Sequence, residues 1–283
     1  MIKEIKKITD LSHELTEIRK LKKKISLVPT MGNLHQGHLS LIRNAQNISD
    51  YTVVSIFVNP TQFVAGEDFD EYPRTLDSDV ESISNLNVEL VFIPDTEEIY
   101  PANDRVSVEI PVSELESIHC GKYRPGHFRG VAKVVSKLFD IVKPDIAIFG
   151  EKDYQQLLII RSLVKNLLLP IEIVSSPTIR EDSGLAMSSR NNYLTKSEIQ
   201  QAPKLYECIK KTTKMIRDGN KDYEQLEKEA NIFLKQVGFR VEYYSICDSE
   251  TLGPAQGENT VVLAAAWLGK TRLIDNAKVH TYD

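Results

Sequence analysis

Five short, almost uninterrupted apolar runs set the terms on which this chain can fold: ISLVP (25–29), YTVVSIFV (51–58), VELVFIP (88–94), DIAIF (145–149) and IEIVSS (171–176). Each has strand length and β-branched residues, and none alternates with polar residues, so each predicts a strand buried on both faces. Segments of helical period lie between most of them, notably LSLIRNAQNI, GHFRGVAKVVSKLFDIV and DYQQLLIIRSLVKNLL. Strands alternating with helices predict an α/β fold built on a doubly wound parallel sheet. Ligands of such sheets bind beyond the carboxyl ends of the strands, which directs the search for chemistry to the loops that leave those ends.

After Ser175 the texture changes. SPTIREDSGLAMSSRNNYLT is polar and turn-rich, and Thr195 with Glu198 forms a T-x-x-E capping box ahead of the amphipathic run SEIQQAPKLYECIKKTTKMIRDG. YEQLEKEANIFLKQVG predicts a further helix ending at Gly238, and FRVEYYSICD and NTVVLAAAWLGKTRLIDN predict strands. The expected organisation is a Rossmann-like domain over residues 1–177 and a smaller α+β domain over 178–283, in keeping with a length of 283 residues.

Composition excludes several classes. No apolar run approaches the roughly 18 residues of a membrane span, and the lysine-rich N-terminus lacks the apolar core of a secretory signal, so a cytoplasmic protein is expected. Cys120, Cys208 and Cys247 are an odd count without C-x-x-C spacing, which predicts reduced core thiols. A net charge of -5 offers nucleic acid no global attraction, and the lysines of residues 19–24 read as one solvated helix face.

The turn VPTMGNLHQGHLSLI (28–42) joins the first predicted strand to a helix. Backbone N–H groups and the positive end of the helix dipole converge at such a place, making it an anion site. Gly32 and Gly37 have the spacing of a P-loop's glycines, yet His38 and Leu39 replace its Lys and Ser or Thr, so this is not a Walker A motif. His35 and His38, three apart on the first helical turn, can present both rings to one phosphate chain. A zinc site would need further ligands, and H-E-x-x-H is absent. The loop after DIAIF supplies Gly150 for a tight turn, Lys152 as a compact cation and Asp153 as a cap or ribose ligand. AMSSRNN gathers Ser188, Ser189 and Arg190, which can hold a polyphosphate. The long connection VNPTQFVAGEDFDEYPRT carries Gln62, whose amide both donates and accepts.

With those loops in hand, the sequence resembles the pantothenate synthetase (pantoate-β-alanine ligase) family of the H-x-G-H nucleotidyltransferase superfamily. The resemblance rests on PTMGNLHQGHLSL, SIFVNPTQF, DEYPRT, GHFRGV, FGEKDYQQ, AMSSRN and RLIDN, spread over most of the chain. It implies a ligase that joins (R)-pantoate to β-alanine with ATP, through a pantoyl adenylate, releasing AMP and pyrophosphate; magnesium is expected because polyphosphate chemistry generally uses it. It also implies a homodimer, with the smaller domain closing over the active site. Matched position by position, it implies nucleotide contacts at Met31, Gly32, Asn33, Leu34, His35, Gln36, Gly37 and His38, at Gly150, Glu151, Lys152 and Asp153, at Ile179, and at Met187, Ser188, Ser189 and Arg190. His38, with His35 and Lys152, would be catalytic; Gln62 would hold pantoate and β-alanine, and Gln156 pantoate. No side-chain metal ligand is implied. Asn33 and Gln36 depart from the family's usual M-G-A-L-H-E-G-H turn. The alternatives are an enzyme moving AMP onto a phosphate-bearing substrate and a non-catalytic nucleotide-binding module.

Overall fold

The computed structural model describes residues 2–102, 114–255 and 259–279. The chain divides into two compact units, residues 1–151 with 155–177, and residues 152–154 with 178–283.

The first unit is a six-stranded sheet built from β1 (Lys3–Ile5), β2 (Ile25–Thr30), β3 (Tyr51–Ile56), β4 (Leu90–Phe92), β5 (Ile146–Gly150) and β6 (Glu172–Ser176), in the order β1-β4-β3-β2-β5-β6. Every pairing is parallel. Its helices are α1 (Ile8–Lys20), α2 (Gln36–Ile48), α3 (Leu76–Ser84), α4 (Thr96–Ile99), α5 (His119–Tyr123), α6 (His127–Val142) and α7 (Tyr154–Asn166). Neighbouring residues of one strand face opposite layers, as the pleat requires. Leu27, Val53, Leu90 and Ala147 pack with Leu11 and Leu15 of α1, with Val135 and Phe139 of α6 and with Ile160 of α7. Val28, Val54, Val91 and Ile148 pack with Ile42 of α2 and Ile83 of α3. Helices cover both faces, so the unit is a doubly wound, Rossmann-like sheet, and the absence of polar alternation in the runs of β2 to β5 has its cause here; β6, expected to be buried on both faces, lies at the sheet edge and buries Ser176 alone.

Strand β1 was not signalled by any apolar run. It is three residues long at the sheet edge, and Ile5 is its one buried residue. The strand order reverses between β2 and β5, because the chain steps from β2 outward through β3 and β4 and then resumes on the other side with β5 and β6. In open α/β sheets that reversal opens a crevice at the carboxyl edge.

The 3-10 turn Pro60–Gln62, leaving β3, presses its backbone onto α6 at Gly130. A Cβ at position 130 would stand 2.0 Å from the Thr61 carbonyl oxygen and 2.7 Å from Gln62 Cα. Gly130→Ala is therefore expected to force turn and helix apart and to cost about 1–3 kcal/mol, as overpacking does, read as a lower denaturant midpoint.

The second unit contains α8 (Lys196–Gln201), α9 (Lys204–Arg217), α10 (Tyr223–Gln236) and an antiparallel sheet ordered β7 (Arg240–Asp248), β8 (Thr260–Leu268), β9 (Thr271–Lys278). Leu205, Ile209, Leu226 and Leu234 of the helices bury against Val262, Ala264, Ala266 and Leu273 of the sheet. The Thr195–Glu198 capping box is present, with each side chain accepting from the other's backbone N–H. The amphipathic run after it is two helices rather than one, broken at Pro203, which lacks the N–H that would continue α8. Gly238, at φ +93°, follows α10 in the left-handed conformation that glycine accepts without strain. All three cysteines are buried, and burial pushes the Cys247 thiol up to about 12, so it stays protonated at neutral pH.

Candidate active site

The turn at the end of β2 is wound tightly, with Gly32 at φ +79° and Asn33 at φ +49°. Asparagine tolerates that left-handed conformation better than most side chains, which accounts physically for its presence at position 33. The backbone donors of the turn are already engaged. Gly32 N–H donates to Thr30 Oγ1 (3.3 Å), and the Asn33 and Leu34 N–H groups donate to the Asp79 carboxylate (2.9 and 2.7 Å). Gly37 N–H donates to His35 Nδ1 (3.1 Å) and His35 N–H donates to His38 Nδ1 (3.3 Å). The anion site anticipated from backbone N–H groups is thus largely satisfied by the chain's own acceptors.

The histidines form a capping box, His35 as the N-cap of α2 and His38 at its third position, with imidazole nitrogens replacing the usual hydroxyl and carboxylate. A backbone N–H donates, so both Nδ1 atoms must be unprotonated, and each neutral ring carries its hydrogen on Nε2. The rings lie 4.1 Å apart between centroids, tilted by 40°, and both are partly buried rather than sealed in the core. The helix start therefore offers paired imidazole Nε2–H donors. It offers a metal no Nδ1 lone pair.

Gln62 lies in the next loop, beyond β3, the neighbour of β2. Its Oε1 accepts from Asn59 Nδ2 (2.9 Å), which turns Nε2 toward Met31 Sδ at 3.0 Å and ties this loop to the histidine turn. Asn59 is 1% exposed and also donates to the Gly130 carbonyl, while its Oδ1 accepts from Thr61 Oγ1 and Tyr100 Oη. His127 Nδ1 bonds the Gln62 carbonyl (2.7 Å), and Arg124 Nη1 reaches His127 Nε2 (2.9 Å). A guanidinium only donates, so His127 Nε2 is the acceptor and Nδ1–H the donor. Arg124 in turn holds Glu67 through Nε and Nη2 (2.5 and 2.8 Å). Burial pushes the Glu67 carboxyl up, but the Arg124 pair and the Val64 amide outweigh it and hold it below the ordinary value. That pairing stabilises the loop above the ordinary carboxylate range and is lost as pH falls through the depressed value. The loop has its own aromatic packing, with Phe63 edge-on to Phe69 (5.1 Å) and to Tyr72 (5.8 Å).

Gly150 ends β5, on the other side of β2, with no Cβ obstruction nearer than Leu41 at 3.9 Å. Glu151 accepts from Ser175 Oγ (3.1 Å), and Lys152 Nζ stands 3.9 Å from Asp153 Oδ2, a loose pair. Gln155 is buried and structural, bonding Cys120, Leu115 and Ile118 backbone groups, whereas Gln156 is partly exposed. The loops bearing His35 and His38, Gln62 and Gly150 leave three adjacent strands at the same carboxyl edge.

In the second unit, Met187 N–H donates to the Ile179 carbonyl (3.0 Å) across a hairpin closed by the Arg180–Ala186 bridge, so AMSSRNN is ordered structure. Ser188 caps the following turn through the Arg190 N–H (3.3 Å). Arg180 forks onto Asp275 of β9 (2.7 and 2.8 Å) and lies 3.2 Å over the Tyr206 ring. Asn276 Nδ2 donates to the Lys152 carbonyl (2.9 Å), fixing the backbone that carries the lysine. Asp79, Asn59, Glu67, Arg124, His127, Arg180 and Asp275 were not singled out in the sequence, where nothing marks a pairing partner dozens of residues away.

A doubly wound parallel sheet with an H-x-G-H helix start at its switch point defines a class, the α/β proteins whose candidate site lies at the sheet's carboxyl edge with paired imidazoles where a P-loop has its lysine. The sequence profile of the pantoate-β-alanine ligases matches residues 3–278. The pantothenate synthetase of Hahella chejuensis is 48% identical over 278 residues, covering 98% of each chain. Among solved structures, the pantothenate synthetase of Thermus thermophilus superposes with a TM-score of 0.91 at 38% identity, over 99% of this chain and 100% of that one. The pantoate-β-alanine ligase of Francisella tularensis, solved with β-γ ATP and β-alanine, gives 0.82 at 36% identity, over 100% of this chain and 99% of that one. The chain belongs to the pantoate-β-alanine ligase family.

Proposed function

We propose that this protein condenses (R)-pantoate with β-alanine, using ATP and releasing AMP and pyrophosphate through a pantoyl adenylate. The observation that carries the reading is the histidine capping box, whose Nε2–H groups stand at the switch point of the sheet in a chain of this family.

In the first step a pantoate carboxylate oxygen attacks the α-phosphorus of ATP, and the bond from that phosphorus to the departing pyrophosphate oxygen breaks. A carboxylate with a pKa of about 4 is already ionised at neutral pH, so no general base is required. The barrier falls by alignment and by stabilising charge on the phosphates. His38 and His35 supply fixed neutral donors to that charge, and Lys152 supplies a cation. Residues 31–38, 150–153 and 187–190 with Ile179 serve the nucleotide. Gln62, held at both its amide and its carbonyl, orients pantoate and β-alanine, and Gln156 contacts pantoate. In the second step β-alanine, its ammonium having first given up one proton, attacks the acyl carbon through the neutral amine, the C–N bond forms, AMP departs with the electrons of the broken C–O bond, and a second proton leaves the nitrogen.

Magnesium fits as part of the nucleotide, held by phosphate oxygens and water, since a hard cation prefers oxygen and the imidazoles present N–H groups. When bound it neutralises phosphate charge. No helix among the described residues is long and apolar enough to cross a membrane. A cytoplasmic homodimer is proposed with the activity, and light scattering gives the oligomeric state.

Purified protein given ATP, magnesium and pantoate is expected to release pyrophosphate, and to release AMP steadily only when β-alanine is added. AMP transfer to a phosphate-bearing acceptor, or binding of ATP without turnover, would replace this reading.

A further inference from the structure

We infer that Asp79 is a positioning residue for the histidine pair, its carboxylate filling the wound turn before α2 and so directing substrate phosphates onto the imidazoles. Asp79 is 2% exposed, on α3, and no substrate contact is attributed to it. Its Oδ1 accepts from Leu34 N–H (2.7 Å), and its Oδ2 accepts from Asn33 N–H (2.9 Å) and Thr75 Oγ1 (3.1 Å). A Cβ on Gly32 would lie 3.0 Å from Oδ2, so the turn closes this tightly on the carboxylate only because position 32 is glycine.

Successive backbone N–H groups wound in this way make an anion-binding concavity. Here the anion is built into the chain. The residues it grips immediately precede His35, whose own N–H fixes His38 through Nδ1. Asp79 therefore acts twice: it occupies donors that would otherwise compete for phosphate, and it sets the backbone from which both rings are oriented. Charge-assisted bonds of this type are the stronger kind, which suits a group that must hold a ring direction.

The kinetic arm of the test rests on the ligase reading; the spectroscopic arm does not. Asp79→Asn keeps the volume but turns an N–H toward a backbone N–H. Adenylate formation is expected to fall by about 10²-fold in kcat, the scale of a misplaced catalytic group, with KM for ATP little changed. In a His38→Ala background the same substitution is expected to cost only a few-fold more, the share of its effect that passes through His35. Losses that multiply fully in the double variant would overturn the inference. Imidazole ¹⁵N spectra are expected to show Nε2–H tautomers for His35 and His38 in the unsubstituted protein and a tautomer mixture in Asp79→Asn; unchanged tautomers would also overturn it. An unsubstituted protein inactive with ATP and pantoate would defeat the ligase reading and leave the spectra to decide Asp79. Should Asp79→Asn fail to fold, Thr75→Val removes one donor to the same carboxylate. A several-fold loss in kcat that shrinks in the His38→Ala background supports the role, and no loss refutes it.

Discussion

His38→Ala is expected to slow pyrophosphate release from ATP and pantoate by a factor on the order of hundreds while the protein remains folded. Removing one preorganised donor aimed at developing charge costs about 2.7–4 kcal/mol of barrier. The same substitution removes half of the cap on α2, since His38 Nδ1 accepts the His35 N–H. Loss of a helix cap costs about 0.5–2 kcal/mol of stability, too little to unfold a domain with a two-sided core. The two roles separate in His38→Asn, whose Oδ1 stands where Nδ1 did. That variant is expected to keep the cap and the thermal midpoint yet lose activity as the alanine variant does. Single-turnover kinetics with unfolding curves check both, and near-normal pyrophosphate release in either variant would remove His38 from the chemistry.

Asp275→Ala is expected to be the more damaging change for stability, by about 3–5 kcal/mol, because it strands a charge inside the protein. The Asp275 side chain is 3% exposed and that of Arg180 17%, and the fork between them is backed by the Tyr206 ring. Burial works against the Arg180 charge, and the Asp275 pair outweighs it, leaving the arginine pKa raised. Without the carboxylate, the guanidinium keeps the cost of burial and loses its compensation, and the Asn276 N–H loses its acceptor as well. The contrasting control is Lys214→Ala on α9, whose ion pair with Asp218 is 72% and 61% exposed and should leave the denaturant midpoint essentially where it was.

The parallel sheet was readable because β2 to β5 are buried on both faces, and such strands announce themselves as apolar runs, while β6 keeps an apolar run although it lies at the sheet edge with Ser176 as its one buried residue. Edge strand β1 gives no such signal, since Ile5 alone is buried. The break at Pro203 lies within a run whose amphipathic period continues on both sides, so the period hid it. The histidine turn was legible as a glycine-flanked pair at helical spacing. Its internal bonding was not: the anion expected at the backbone N–H groups is Asp79, more than forty residues away, and both Nδ1 atoms serve the helix rather than a ligand.

Sequence alone determined the alternation of β2 to β6 with helices, the polar turns between them and the residue types gathered at each strand's carboxyl end, because these follow from periods of two and 3.6 residues and from local turn chemistry. Tertiary structure alone decided which side chains hold the others in place: Asp79 on the turn, Arg124 on Glu67, His127 on Gln62, Asp275 on Arg180. These pairs join residues far apart in the chain, and only strand order, crossover geometry and the exclusion of water bring their charges together.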